Sequence, residues 1–235
     1  MKLDQLQSMH QNPKLNDEYE QYYHQYYNQA FEYGKGTEDI LNLISSVKLT
    51  GTNRWLDLGS GSMSLFWSIP LLGVNEIYCV DINPEAFYFL ELLKKRKEYP
   101  QCYYDVLKMF DQRVEKLHYF FDKLLDVNCF DALNEWPRHY DSIKFDLITQ
   151  FGLFGLCEDK ITYLKSLMLA WKSLSQGGTF IGANWKRKKN GCQYLDTSII
   201  QLLGVDAKVQ YNEYHTFEDD PEYDGVLIWQ LVKVK

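Results

Sequence analysis

A short glycine-containing turn is the first feature of the sequence that could do chemistry. Gly59-Ser60-Gly61 follows a strand-like run and precedes a predicted helix over 63–72. Glycine lets the backbone turn sharply and approach a ligand closely. About twenty residues on, a second strand-like run ends in Asp81 and Ile82, and an acid at that place accepts hydrogen bonds from both ribose hydroxyls of an adenosine ligand. The spacing therefore predicts an adenosine-type ligand bound across the turn.

The residues around the turn distinguish two kinds of adenosine ligand. A dinucleotide site has glycine at the third position of the G-x-G-x-x-G pattern, where this chain has Ser64. Asp57, just before the turn, would repel a pyrophosphate. S-adenosylmethionine has no phosphate and carries an ammonium and a sulfonium, so the acid is tolerated and helps to orient the loop and the amino-acid end of the ligand. The pattern favours S-adenosylmethionine as the cofactor, with no metal.

The elements that must position these residues follow from the alternation of short apolar runs with amphipathic stretches. The predicted strands are 54–58, 76–81, 123–127, 145–150, 178–184, 207–214 and 225–233. Turn residues at 220–225 leave no room for a crossover helix, so the last two strands are predicted to form an antiparallel hairpin. The predicted fold class is α/β, with a Rossmann-like, seven-stranded, mostly parallel sheet and helices on both faces.

Helices are predicted at the N-terminus and before the third strand. An aromatic-rich helix or helix pair covers 16–33, and a second helix covers 37–48 with Thr37 as its cap. The long stretch 85–121 is predicted to hold two helices, broken near Pro100. We expect one domain over 1–235, with a helical lid at 1–50 and the Rossmann-like core at 51–235.

Several motifs resemble those of class I methyltransferases in order and spacing. They are Asp57-Leu-Gly-Ser-Gly-Ser, Val80-Asp81, Leu125-Asp126-Val127, Phe145-Asp146-Leu147-Ile148 and Leu174-Ser-Gln-Gly177-Gly178-Thr-Phe. More narrowly, the chain resembles the group of nicotinamide, phenylethanolamine and thioether or indolethylamine N-methyltransferases. That resemblance depends on Tyr22-x-x-x-Tyr26-Tyr27, the long insertion before Asp126-Val127, Cys157-Glu-Asp-x-x-x-Tyr163 and Gln193-Tyr194.

The resemblance implies roles for four residues in cofactor binding. In that family, tyrosines of the N-terminal element close over the cofactor, and the matching positions are Tyr22 and Tyr27. The other tyrosines of the element are open to a second interpretation, as an aromatic face that covers the core; these are Tyr19, Tyr23 and Tyr26. Asp126 and Val127 match the acid and apolar pair that receive the adenine amino group and ring edge, although Asp126 alone could be an ordinary strand-end acid.

The segments after the fourth and fifth predicted strands carry the candidates for the acceptor side. Gln150 is assigned to the cofactor, and Tyr27, Phe151 and Asn184 are candidates for positioning the reactants. The predicted substrate contacts are Phe154, Asn184, Trp185 and Tyr194. The nicotinamide enzyme has an acid at the position of Asn184, so the neutral amide argues against nicotinamide itself. The basic run Lys186-Arg187-Lys188-Lys189 either attracts an acidic group of the acceptor or is a solvated loop.

Composition restricts the partners. The net charge of −7 argues against a nucleic-acid backbone as the partner. The longest apolar runs fall far short of the roughly 20 residues of a membrane helix, and the polar N-terminus lacks a signal-peptide core. We therefore expect a cytoplasmic protein without a membrane partner. Its five cysteines include no CxxC pair and are expected to be small hydrophobic residues of the interior.

The function predicted from these features is methyl transfer from S-adenosylmethionine to a small molecule, at an amine or a heteroaromatic nitrogen. A neutral nitrogen can attack unaided, whereas a hydroxyl usually needs a base or a metal. Two alternatives stay open: an O- or C-methyltransferase of a small aromatic metabolite, and a non-catalytic Rossmann-like binding subunit. The Asn/Asp-Pro-Pro-aromatic motif of enzymes that methylate nucleic-acid bases or protein glutamine is absent after the fourth strand.

Overall fold

A seven-stranded sheet organises the molecule, in the order β3-β2-β1-β4-β5-β7-β6. The computed structural model describes residues 2–3, 13–27, 29–49, 51–188, 195–204 and 206–234. Strands β1 to β5 run parallel, and β7 lies antiparallel to both β5 and β6. This confirms the predicted α/β class and the C-terminal hairpin.

Six of the seven strands begin and end within two residues of the predicted runs, whereas the fifth, predicted over 178–184, begins four residues earlier and ends three residues later. The strands are β1 Arg54–Leu58, β2 Glu76–Asp81, β3 Leu124–Cys129, β4 Phe145–Phe151, β5 Leu174–Arg187, β6 Ala207–Thr216 and β7 Tyr223–Lys233. The third strand was predicted to end at residue 127, but it continues through Cys129, which pairs with Asp81 of β2. The loop that follows β3 therefore begins at Phe130.

The helices differ more from the prediction. They are α1 Pro13–Tyr27, α2 Thr37–Ser46, α3 Ser64–Trp67, α4 Tyr88–Arg96, α5 Gln101–Met109, α6 Glu115–Lys123, α7 Lys160–Ser173 and α8 Thr197–Leu202. The helix predicted over 63–72 was too long, because Pro70 disfavours helical geometry in the residue before it and has no N–H to donate. The stretch 85–121 holds three helices rather than two, because Asp111 takes a left-handed conformation with φ of 50° after α5.

The helix of the N-terminal segment is also shorter than predicted. Helix α1 ends at Tyr27 rather than at residue 33, and the backbone N–H of Phe31 donates to Asp105 Oδ2 at 2.9 Å instead of continuing the helix. The residue capping α2 is Gly36, with φ of 79°, and Thr37 is the first helical residue. A β-carbon on Gly36 would lie 2.8 Å from Val226 Cγ1, so glycine also lets the start of α2 pack against β7.

Each face of the sheet packs against its own hydrophobic core. Along β1, Trp55 belongs to the core shared with α2, α4, α5 and α6, whereas Leu56 belongs to the core shared with α7. Both side chains are fully buried. Because β2 and β4 lie on opposite sides of β1, the strand order reverses there, and open α/β sheets bind ligands at such a reversal, beyond the carboxyl ends of the strands.

The structure can be compared with what the composition predicted for the cysteines, for membrane helices and for metal sites. Of the cysteines, Cys79, Cys102 and Cys157 are buried and Cys129 is partly buried, and none of these four is in a disulfide; Cys192 lies outside the described residues. No helix in the described part of the chain is both long and apolar enough to span a membrane. Among the same residues, no group of three or more His, Cys, Asp or Glu side chains could hold a metal ion.

Candidate functional site

A cleft of about 430 Å³ opens beyond the carboxyl ends of β1, β2 and β4. Ligand sites for small molecules typically have volumes of roughly 300–1,000 Å³. The described residues that line the cleft are Tyr19, Gly59, Asp81, Ile82, Asn83, Phe130, Asp131, Ala132, Leu133, Phe151, Gly152, Leu153 and Leu156. The structure thus brings the predicted turn, the predicted ribose acid and Phe151 together at one cavity.

The two glycines of the turn differ in what surrounds them. Both adopt left-handed conformations, with φ of 63° at Gly59 and 49° at Gly61. A β-carbon on Gly59 would lie 2.8 Å from Cβ of Leu153, so this glycine lets the turn pack against the segment after β4. A β-carbon on Gly61 would have no heavy atom of the described residues within 4 Å. The space in front of Gly61 is therefore open, although Gly61 is not among the described residues that line the cleft.

Asp81 joins the end of β2 to the turn. Its Oδ2 accepts the backbone N–H of Gly61 at 2.9 Å, and its Oδ1 accepts the N–H of Asn83 at 3.2 Å. Burial raises the pKa of this carboxyl, and the backbone N–H groups of Asn83 and Gly61 oppose the rise. Each oxygen keeps a further lone pair for a ligand hydroxyl. Ile82, beside it, is 59% exposed and presents an apolar surface to the cleft.

Asp57 lies beneath the turn and does not line the cleft. It is 1% exposed, and both its oxygens accept side-chain hydroxyls at 2.6 Å, from Thr149 to Oδ1 and from Ser64 to Oδ2. Thr149 in turn accepts the indole N–H of Trp55 at 2.7 Å. Ser60 is also buried, and its backbone N–H donates to Val80 O at 2.9 Å. Asp57 and Ser60 hold the turn in place.

The buried position of Asp57 leads to a prediction about pH. Burial raises its pKa to about 6, from an ordinary value of 3.8. Because the folded state binds this proton more tightly, the stabilisation is complete below about pH 4 and is lost as the pH rises through 6, by roughly 3 kcal/mol. Urea unfolding between pH 4 and pH 7 should show wild type losing stability relative to Asp57→Asn. The exposed Asp122→Asn is the control, and parallel profiles for wild type and Asp57→Asn would contradict the prediction.

Gln150 and Asn184 form a buried hydrogen-bond network behind the cleft. Both are fully buried; Gln150 Nε2 donates to Asn184 Oδ1 at 2.8 Å, and Asn184 Nδ2 donates to the Tyr163 hydroxyl at 3.1 Å. Gln150 Oε1 accepts the backbone N–H of Phe154 at 2.9 Å. Phe154 is also fully buried, with its ring packed edge-on against Tyr163. The structure places Gln150, Asn184 and Phe154 in the core, and none of them lines the cleft.

This network predicts a cost in stability rather than in substrate binding. Asn184→Ala removes the acceptor of Gln150 Nε2 and the amide that donates to the Tyr163 hydroxyl, and the loss of a buried hydrogen-bond partner costs about 1–3 kcal/mol. We expect urea unfolding to show a loss of roughly 2–4 kcal/mol. The exposed Asn42→Ala is the control, and it should stay within about 0.5 kcal/mol of wild type. A stable Asn184→Ala protein would contradict the structural role.

The remaining predicted residues are distributed as follows. Asp126 and Val127 lie within β3, opposite Tyr78 and Cys79; Asp126 accepts from Asn128 Nδ2 at 2.6 Å, and Val127 is fully buried in the core. Neither lines the cleft. Tyr22 is 48% exposed and is not among the lining residues either. The side chain of Tyr27 and the whole of Tyr194 lie outside the described residues.

Two of the aromatic residues predicted for the acceptor side lie near the end of β4, and of these only Phe151 is among the described residues that line the cleft. Phe151 lines the cleft with its ring centroid 4.6 Å from that of Trp67. Trp185 is half-buried beside Gly152, where a β-carbon on the glycine would lie 3.9 Å from Trp185 Cε3.

The first two residues of the basic run, Lys186 and Arg187, are the last residues of β5, and each lies near an acid. Lys186 Nζ lies 3.2 Å from Asp224 Oδ2, and Arg187 Nε lies 3.5 Å from Glu222 Oε1. These acids belong to β7 or the turn before it, so part of the positive charge that could have attracted an acidic acceptor is neutralised. Lys189 lies outside the described residues.

Tyr19 and Asp131 line the cleft although neither was assigned to the cofactor. The Tyr19 hydroxyl accepts from Asn83 Nδ2 at 3.2 Å, and burial, with a smaller contribution from Asp81, raises its pKa. Asp131 accepts the backbone N–H of Leu133 at 2.9 Å. If β3 had been predicted to end at Cys129, the acid expected just after the strand would have been Asp131 rather than Asp126. The tyrosine spacing alone does not show which tyrosine of α1 faces the sheet.

Comparison with known proteins gives matches in structure alone. No protein-family model and no curated protein sequence matches the chain. The N-methyltransferase NodS from Bradyrhizobium japonicum, in complex with S-adenosylhomocysteine, shares 13% identity at a TM-score of 0.55, covering 97% of this chain and 92% of that one. The magnesium protoporphyrin IX methyltransferase ChlM from Synechocystis, with bound S-adenosylmethionine, shares 10% identity at a TM-score of 0.53, covering 84% and 77%. The chain has the class I methyltransferase fold.

A further neighbour indicates how widely this fold is used. An rRNA methylase from Streptococcus thermophilus shares 13% identity at a TM-score of 0.53, covering 87% of this chain and 100% of that one. The three neighbours are named for different activities, and their identities are too low to carry an acceptor over. The acceptor must therefore be argued from the cleft itself.

Proposed function

We propose that this protein transfers the methyl group of S-adenosylmethionine to a small, apolar acceptor at an amine or heteroaromatic nitrogen. The observation that carries the proposal is the lining of the cleft. It combines a glycine turn, an acid at the end of β2 and a set of apolar side chains, and its described lining residues include no Lys, Arg or His. Such a lining suits a cationic adenosine ligand.

The charge of the cleft supports this cofactor over a dinucleotide. Asp81 and Asp131 both line the cavity, and Asp57 is buried beneath the turn. A pyrophosphate would face these acids without a basic partner in the described lining, which Coulomb repulsion makes unfavourable. The ammonium and sulfonium of S-adenosylmethionine are attracted by the same acids. The open space at Gly61 lets the amino-acid end approach the backbone of the turn.

The adenosine half fits the ends of β2 and β3. Asp81 would accept the ribose hydroxyls through its remaining lone pairs, and Ile82 would pack on one face of the adenine. We propose that Asp131 and Ala132 take the role that the sequence assigned to Asp126 and Val127, because they are likewise an acid followed by an apolar residue and they line the cleft.

The acceptor end of the cleft is apolar. When bound, the cofactor supplies a methyl group on a sulfonium, which is activated for direct in-line displacement. Phe151, Leu153 and Leu156 lie at the end of β4 and after it, and none of them can take or give a proton. Their contribution is to align the acceptor and exclude water. The acceptor must therefore arrive with an unprotonated lone pair, which favours nitrogen over a phenol.

Two acceptors of nearly the same shape test this proposal. With methyl-labelled S-adenosylmethionine, 4-phenylpyridine should be methylated on its ring nitrogen, and 4-phenylphenol should react at least about a hundredfold more slowly, since none of Phe151, Leu153 and Leu156 can take its proton. Equal rates, or transfer to the phenol alone, would contradict nitrogen as the acceptor. Tight cofactor binding without transfer to this or any other apolar nitrogen heterocycle would contradict catalysis.

A further inference from the structure

A second cavity, of about 220 Å³, lies between α1, α4 and the segment that links α4 to α5. We call it the α1–α4 groove. Its lining includes Tyr23 and His24 of α1, and Phe89, Leu93 and Arg96 of α4. Leu92, Glu98, Tyr99 and Pro100 complete it. It shares no lining residue with the cleft that holds Asp81.

The floor of the groove is aromatic and apolar. Tyr23, Phe89, Leu93 and Tyr99 are each less than a tenth exposed. The rings of Tyr23 and Phe89 are in contact, with centroids 3.6 Å apart and planes tilted by 37°. The accessible edges of these rings are the surface that a flat ligand would contact.

A buried polar atom lies within this lining. The hydroxyl of Tyr99 is inaccessible to solvent and has no hydrogen-bond partner among the described residues. Burial raises the pKa of this phenol, so the group stays a neutral hydroxyl that can donate. Because solvent in the groove does not reach this hydroxyl, a ligand seated there does not reach it either.

One basic and one acidic side chain line the rim of the groove, Arg96 and Glu98, together with His24. Lys94, Lys95 and Lys97, the neighbours of Arg96 in the chain, do not line it. Arg96 is exposed, and no ion pair or hydrogen bond engages its guanidinium within the described part of the chain. His24 lies 3.7 Å from Glu20 on its own helix. An arginine without a partner at the edge of an apolar cavity suits a planar carboxylate, which its N–H groups bind in pairs.

We infer that the α1–α4 groove is a ligand site for a small aromatic carboxylate, with the ring on the Tyr23 and Phe89 floor and the carboxylate at Arg96. Such a ligand contacts both helices and so holds α1 against α4. One turn before Tyr23, the same helix places Tyr19 at the cleft, where it is hydrogen-bonded to Asn83. The groove is thus placed to stabilise the docked position of α1. This inference does not depend on methyl transfer.

Indole-3-acetate is a suitable probe, and tryptamine, with the same ring and the opposite charge, is its control. Calorimetry on the full chain should show saturable binding of indole-3-acetate, and tryptamine should bind at least about tenfold more weakly. Arg96→Glu should weaken indole-3-acetate by at least about tenfold. Lys97→Glu reverses a neighbouring charge that does not line the groove, and it should leave affinity within about twofold.

Hydrogen exchange locates the bound probe. Indole-3-acetate should slow amide exchange in α1 and in residues 92–100, and leave residues 59–61 and 130–133 unchanged. Absence of saturable binding, equal binding of tryptamine, or equal loss in Arg96→Glu and Lys97→Glu would overturn the inference. Protection confined to the cleft would overturn it as well. Arg96→Glu changes an exposed residue, and an unchanged thermal midpoint would verify that its fold is intact.

Discussion

Replacing Asp81 with alanine is expected to weaken the binding of S-adenosylhomocysteine by at least about a hundredfold. A hydrogen bond to a charged acceptor contributes about 1.5–3 kcal/mol, and a carboxylate at the end of β2 can accept both ribose hydroxyls. The same substitution releases the N–H of Gly61, which Asp81 Oδ2 accepts at 2.9 Å, so the turn loses its anchor as well. Titration calorimetry measures the loss directly.

Two further variants separate the ribose contact from general effects. Asp81→Asn keeps one acceptor oxygen, and its affinity should fall between wild type and Asp81→Ala. Asp122→Ala removes an exposed acid of α6, and its affinity should stay within about twofold of wild type, because screening weakens distant charges. If Asp81→Ala bound S-adenosylhomocysteine within about threefold of wild type, the ribose role of Asp81 would be refuted.

The second large effect is expected from the two glycines of the turn, which should respond differently to the same substitution. Gly61→Ala places a methyl group in space that no atom of the described residues occupies within 4 Å, where the proposed cofactor passes. We expect its affinity for S-adenosylhomocysteine to fall by at least about tenfold, while stability falls by only about 1–2 kcal/mol from the strain of φ at 49°.

Gly59→Ala is the matched comparison. Its β-carbon would lie 2.8 Å from Cβ of Leu153, so either the turn or the segment after β4 must move. We expect a stability loss of about 2–4 kcal/mol together with the loss of binding. Thermal unfolding and calorimetry on both variants measure the two quantities. A Gly61→Ala protein that binds normally would show that the ligand does not cross the turn.

Much of the fold was predictable because its signals are local. The alternation of apolar runs located β1 and β2 at their observed bounds, and the turn chemistry before β7 predicted the antiparallel hairpin. Helix ends were harder to predict because tertiary contacts and isolated backbone conformations set them. Helix α1 ends at Tyr27, and the backbone N–H of Phe31 then donates to Asp105 of α5. The left-handed backbone conformation of Asp111 separates α5 from α6.

The residues of the candidate site that directly follow a strand were predictable from the sequence. The turn and Asp81 are adjacent to strand ends, so the parallel topology brings them to one edge. Asn184 and Phe154 could not be placed from sequence, because the choice between facing the cleft and facing the core depends on how β4, β5 and α7 pack. Both face the core, where Asn184 connects Gln150 to Tyr163.

Titration calorimetry with S-adenosylhomocysteine and with NAD⁺, on the wild-type chain under identical conditions, tests the central claim most directly. The charge and shape of the cleft predict saturable, one-site binding of S-adenosylhomocysteine and no measurable binding of NAD⁺. Binding of NAD⁺ as tight as that of S-adenosylhomocysteine, or no binding of S-adenosylhomocysteine at all, would contradict the assignment of this cleft to S-adenosylmethionine.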